Sequence, residues 1–165
     1  MKNSIKKISI RGRMYFCLVC LQNAFKQNNI NNGESNLIIN IIKEFLESNN
    51  LSDWEELANN IQPINILDEK FNINDFSFEH KLVLKLKIFY EHIPAYLTEM
   101  IDYTLDVGLN NLYGGTGEYS PLTLEPVLKI IDLCKENSIE FPDINNFLQY
   151  SYQDDDGWGF PIQLN

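Results

Sequence analysis

Cys17 and Cys20 stand in a C-x-x-C spacing, the pattern that elsewhere ligates zinc or cycles between dithiol and disulfide. A closed zinc site needs four ligands, and here no second pair follows: Cys134 stands alone, and the only histidines are His80 and His92. A redox pair usually opens a helix after a strand, whereas these two thiols lie inside the apolar run Met14 to Leu21. They are therefore expected as small core residues. His80 and His92 are twelve residues apart on one expected helix, so at about 100° per residue they point to different sides and do not share a metal or a proton. Neither a G-x-S-x-G elbow nor an H-E-x-x-H is present.

The segment Tyr113-Gly114-Gly115-Thr116-Gly117-Glu118-Tyr119 is the most glycine-dense in the chain. A phosphate cradle of such glycines needs a following lysine or an uncharged helix N-terminus, but Glu118 comes next and no lysine appears before Lys129. A helix stop followed by a tight turn with positive φ is the expectation. Asp154-Asp155-Asp156-Gly157 lacks the alternating acids and terminal glutamate of a calcium loop, so it is expected as a solvated acidic turn or a partner contact. No cofactor and no metal are expected.

A helix opening at Pro94 carries the more informative constellation. With Leu97, Met100, Ile101, Thr104 and Leu105 as its buried stripe, Glu99, Asp102 and Asp106 fall within about 60° of one another on the opposite side, joined by Tyr96 and Tyr103. Carboxylates beside phenolic rings match the chemistry of protein interfaces, where aromatic anchors supply area and charge steers encounter. Glu118, Tyr119, Asp154, Asp155, Asp156 and Trp158 extend the same candidate surface.

The elements that must carry these groups are helical. Met14, Cys17, Leu18, Leu21 and Phe25 repeat at i, i+3, i+4, i+7 and predict a helix covered on most sides. After the Asn28 to Gly33 break, Leu37 or Ile38, with Ile41, Ile42 and Phe45, predict a second. Ser52 with Glu55 is a capping-box signature for a short helix that Pro63 closes. Residues 64–77 have no period and predict a long surface connection with room for one helical turn. Ser77 then caps a helix through Leu82, Leu86, Phe89 and Ile93, for which a strand over 84–88 is the alternative. Pro121 to Glu136 predicts a helix with Leu124, Val127, Leu128, Ile131 and Cys134 inward, Thr123 being its cap because Pro126 suits only a first turn. Pro142 and Asp143 begin a last short helix near Phe147. The expected fold is all-α: residues 1–165 form a single helical domain, a bundle of five to seven helices around a central apolar helix. Residues 1–8 are expected as a flexible basic arm and 154–165 as an acidic, aromatic tail.

With 165 residues, 44% of them hydrophobic, the chain is long enough to bury an ordinary core. Its longest apolar run is too short to span a bilayer and three cysteines do not make a secreted disulfide framework, so a cytoplasmic protein is expected. The net charge of −10 is uneven: residues 1–33 hold six basic residues and no acid, while from Ile88 onward thirteen acids face Lys129 and Lys135 alone. Such a surface disfavours nucleic acid and anionic membrane and favours a basic partner. Oligomeric state is left open.

Three blocks, Arg11-Gly12-Arg13-Met14-Tyr15-Phe16-Cys17-Leu18, then Leu112-Tyr113-Gly114-Gly115 running into Tyr119-Ser120-Pro121, and Gly157-Trp158-Gly159, resemble the small all-helical immunity proteins of bacterial polymorphic and contact-dependent toxin systems. The resemblance implies a non-enzymatic protein that binds and neutralises a cognate toxin domain, here a basic one. An adaptor that binds a non-toxin partner through the same face is the first rival. An enzyme with a site assembled from Glu99, Asp102, His92 and Tyr113 is the second. Arg11 and Arg13 precede a buried helix and are expected to pair with carboxylates inside the fold.

Overall fold

Ser9 opens the longest helix of the fold: its hydroxyl accepts the Gly12 N–H at 3.2 Å, and the chain then runs helically from Ile10 to Gln27. The computed structural model describes residues 1–164, and among these it holds eight α-helices. They are α1 (Lys2–Ile5), α2 (Ile10–Gln27), α3 (Gly33–Glu47), α4 (Leu51–Ile61), α5 (Pro63–Ile66), α6 (His80–His92), α7 (Ala95–Leu109) and α8 (Pro121–Glu136). Three 3₁₀ turns lie at Ile73–Asp75, Ile144–Phe147 and Asp155–Gly157, and Ile8 and Ser151 form an isolated antiparallel bridge. The class is all-α as expected, but the count exceeds five to seven. The additions are α1 and α5, four-residue turns in segments too short to show a period.

Helix α2 buries twelve of its eighteen residues and packs against α3, α7 and α8, while α7 and α8 pack on each other. Side chains from all eight helices join in one contiguous core. Residues 1–8 are not a free arm: Ile5 and Ile8 are fully buried, and Ser9 N–H donates to the Tyr150 carbonyl at 2.8 Å. The far end is also anchored, Ile162 being buried with its N–H on the Leu46 carbonyl at 2.7 Å; Asn165 lies outside the described residues.

Three expected caps are corrected. Asn50, not Ser52, precedes α4, and Ser52 lies inside it without a capping bond. The reciprocal capping box forms at α3, where the Asn32 carboxamide accepts from Ser35 N–H at 2.9 Å and the Ser35 hydroxyl accepts from Asn32 N–H at 3.0 Å. Ser77 receives a bond from the Asn60 amide at 2.8 Å instead of capping α6, which starts after Glu79. Segment 84–88 is helical, so the strand alternative falls. Helix α8 begins at Pro121 behind Ser120, which leaves Pro126 in its interior. Pro126 has no N–H for the Leu122 carbonyl; the Asn110 side chain supplies one instead at 3.3 Å, so the tertiary contact satisfies what the ring removes.

The buried stripe of α7 is the expected one, Leu97, Met100, Ile101, Thr104 and Leu105, extended by Val107 and Gly108. Gly108 is a close approach: a Cβ there would lie 2.5 Å from the ring of Trp54, whose indole N–H donates to the Ile41 carbonyl at 2.8 Å. Trp54 stacks edge-on to Phe45 at 4.6 Å, so this glycine sets how near α7 comes to α3 and α4.

Candidate functional site

The three blocks singled out in the sequence converge at the first turn of α2. Arg11, 4% exposed, donates from Nε to the Gly159 carbonyl at 3.1 Å, from Nη1 to the carbonyls of Phe45 and Leu46, and from Nη2 to that of Ser48 at 2.7 Å. It therefore covers the carbonyls that α3 leaves unpaired at its C-terminus, where a cation is also favoured by the helix dipole. Arg13, fully buried, donates to the carbonyls of Ile5, Tyr119 and Ser120 and to the Thr123 hydroxyl. The backbone N–H of Arg11 adds a bond to the Trp158 carbonyl at 3.0 Å. Pairing with carboxylates was expected, but both guanidiniums bind carbonyl oxygens. Burial lowers both pKa values, Arg13 to about 10, and the charge of Asp155 partly opposes the effect at Arg11. The blocks form a structural junction between α2, the loop before α8 and the C-terminal segment. Gly159 suits it: its φ is +79°, and a Cβ would meet Ser9 Oγ at 2.3 Å.

On α7 the expected exposed acidic face is divided. Asp102 accepts the Ile64 N–H at 3.1 Å and Asp106 accepts the Gln62 amide at 3.2 Å, so two carboxylates one turn apart clasp the α4–α5 junction. Both are half-buried, which corrects the expectation of a fully outward ladder. Burial pushes the Asp102 carboxyl up to about 7, opposed by the Ile64 bond and reinforced by Asp106 and Glu99; Asp106 is raised for the same reason. Glu99 alone of the three is exposed. Tyr96 and Tyr103 are partly buried against the core, and the Tyr96 hydroxyl accepts the Asn28 amide at 2.6 Å, at the C-cap of α2. Their half-burial corrects the expectation of outward-facing tyrosines.

The second group is brought together by the fold. The Thr116 hydroxyl donates to the Asp156 carbonyl at 2.6 Å, and the Tyr152 hydroxyl donates to the Thr116 carbonyl at 2.9 Å, which lays the glycine loop against the acidic turn. Glu118, Asp155 and Asp156 are exposed, while Asp154, Tyr119 and Trp158 are half-buried. The turn has positive φ at Asp155 and Asp156, and Gly117 in the loop has φ +61°. Lys6 Nζ sits 4.2 Å over the Tyr119 ring, and Lys6 and Lys7 share a cleft with Glu118. Around Glu118 and Tyr119 the surface is thus of mixed charge, because the basic N-terminal stretch folds beside residues expected on an acidic surface.

Sequence reasoning missed a third patch. Tyr113 is 87% exposed and donates its hydroxyl to Glu55 on α4 at 2.5 Å, a bond that also raises the phenol's pKa. Glu55 and Glu56 line a shallow cleft with Ser52, Asn59 and Asp75, continuous through Asn59 and Asp75 with a second lined by Asp68, Lys70, Phe71 and Phe76. A charge count over residues 47–79, eight acids against Lys70, was the signal that would have found it.

His80 and His92 occupy opposite ends of α6, and the Nδ1 of His92 pairs with the Ile88 carbonyl at 2.7 Å. The groups considered for a scattered catalytic site, Glu99, Asp102, His92 and Tyr113, are not joined: the last three bond to Ile64, Ile88 and Glu55 respectively. Cys17 and Cys20 are buried core residues as read, and Cys134 is buried and free like them. Comparison with protein-family models, with curated proteins and with solved structures finds no match to this chain.

Proposed function

We propose that the chain is a cytoplasmic immunity protein that binds and neutralises a cognate bacterial toxin domain through acidic, tyrosine-bearing surface. The observation that carries this reading is the state of the surface carboxylates. Among the described residues only two ion pairs form, Lys87 with Glu91 and Lys135 with Asp132, and both are local pairs on one helix. Glu99, Glu118, Asp155, Asp156, Glu55 and Glu56 have no basic partner within ion-pair distance, so their field extends into solvent, where it accelerates encounter with a basic domain. Tyr113 and the exposed portions of the half-buried Tyr96 and Tyr103 supply the aromatic contact area that such an interface uses. The resemblance of the three sequence blocks to immunity proteins supports the choice of partner class.

Co-expression with the product of the adjacent reading frame tests it. The neighbour alone should arrest growth, this chain should relieve the arrest, and the two should co-purify with an affinity that weakens as salt is raised. A neighbour that is harmless alone and does not bind in a pull-down overturns the reading.

A further inference from the structure

Helix α6 carries apolar residues on two sides. Val83, Leu86, Phe89 and Tyr90 turn into the core, while Leu84 and Ile88 stand nearly opposite them, 46% and 58% exposed. The alternation Leu84-Lys85-Leu86-Lys87-Ile88 makes this unavoidable once the segment is helical: a period of two wound at about 100° per residue sends Leu86 to one side and Leu84 with Ile88 to the other. An isoleucine is a poorer helix former than the lysine or glutamate that a merely solvated face would use. Helix α5 packs on α6, and it and its C-cap leave Ile64 and Leu67 exposed, so four of the large apolar residues left on the surface belong to this pair of elements.

Charge lies beside the apolar row. Lys81 and Lys85, again four residues apart, form a second exposed row about 60° round the helix from Leu84 and Ile88, and among the described residues neither has an acidic partner within ion-pair distance. Lys87 differs: its ammonium pairs with Glu91 at 3.2 Å and donates to the Ile66 carbonyl at 3.4 Å, so it is engaged inside the fold. We propose that the outer face of α6 is a second docking surface, distinct from the acidic one, and that it takes a helix of a protein partner in which an apolar row lies beside a row of carboxylates. Packing of the two apolar ridges buries Leu84 and Ile88, and the acidic row then stands against Lys81 and Lys85. A second copy of the chain does not supply this match. In a two-fold antiparallel pairing of α6 each flank meets its own kind, lysine row on lysine row, and in a parallel pairing the lysine row faces His80 and Lys87.

Fluorescence anisotropy with the full-length chain tests the proposal. The probe is a labelled synthetic helical peptide with leucines in one i, i+4 row and glutamates in the next; one control peptide has lysines for the glutamates, and another has serines for the leucines. The acidic amphipathic peptide should bind saturably, and both controls should bind at least tenfold more weakly. Leu84→Gln with Ile88→Gln, and separately Lys81→Glu with Lys85→Glu, should each weaken binding at least tenfold while the melting temperature stays unchanged, and the loss from the lysine pair should shrink at high salt. Glu55→Gln with Glu56→Gln, on the acidic surface, should leave peptide binding as it is, which separates this face from the one assigned to the basic partner. Absence of saturable binding, equal binding of the lysine peptide, or binding that survives both α6 double substitutions overturns the proposal. So does a dimer in sedimentation equilibrium, or cosedimentation with phosphatidylglycerol vesicles, that Leu84→Gln with Ile88→Gln abolishes, because either result assigns the face to a second copy or to lipid.

Discussion

The guanidinium of Arg13 reaches from α2 to the hydroxyl of Thr123 on α8, with Nη1 and Oγ1 2.7 Å apart and both residues fully buried. Three backbone carbonyls surround the same group, so the cation is held by neutral oxygens in a protein whose surface is anionic. Removing it leaves buried acceptors without donors. Arg13→Met is expected to cost about 3 kcal/mol or more, and Thr123→Val, which removes one acceptor, about 1 kcal/mol. Urea denaturation midpoints measure both, and equal costs for the two variants would contradict the arrangement.

Gly108→Ala places a methyl 2.5 Å from Trp54 and 2.9 Å from Phe45. Overpacking of this kind costs about 1–3 kcal/mol. Since the obstacle is the indole itself, the substitution should also shift the emission of Trp54; an unchanged spectrum and midpoint would show that the helices give way freely.

Asp102 governs a pH dependence. Its carboxyl holds a proton up to about pH 7 in the folded chain, against an ordinary value of 3.8. Between those values the folded state binds more protons than the unfolded state, so its stabilising effect is complete below about pH 4 and is lost as the pH rises through 7. Asp106, raised in the same direction, adds to the slope. Asp102→Asn keeps an oxygen for the Ile64 N–H, so it should flatten the curve and stabilise the protein at pH 8 by roughly 1–3 kcal/mol. Thermal melts from pH 4 to 8 test it, and stability that rises with pH in the wild type but not in the variant would reverse the sign.

The acidic turn offers a test of partner binding that spares the fold. Asp156 has φ +50°, a conformation asparagine tolerates, so Asp156→Asn, which leaves the Asp155 charge beside Arg11 in place, should leave the melting temperature nearly unchanged. Association with a basic partner should slow by about three- to tenfold at low salt, with little change in the dissociation rate. Stopped-flow mixing at two ionic strengths separates the two rates.

What the sequence made legible was whatever local periodicity encodes. All five residues of the α7 stripe are buried because a 3.6-residue repeat specifies a face wherever the other side is solvent. The same wheel placed Asp102 and Asp106 outward, and it had no means of knowing that α5 would settle on that side. Thr123 was misassigned as a cap because the rule for Pro126 counts only backbone donors, and the Asn110 amide lies outside the helix. Arg11 and Arg13 were legible as buried groups but not by partner, since their acceptors are carbonyls up to 148 residues away and any residue type carries a carbonyl.

That separation has a bearing on how the chain is made. Arg11 leaves the ribosome 148 residues before Gly159, an interval of about 7–30 s at ordinary synthesis rates. During it the opening turn of α2 has neither Gly159 nor Trp158 to lean on, and Ile162 cannot yet cover the end of α3. A nascent chain halted before residue 157 should therefore stay open to proteases at its start, and closure should come in one late step, when the final segment emerges and threads its carbonyls onto the waiting side chain.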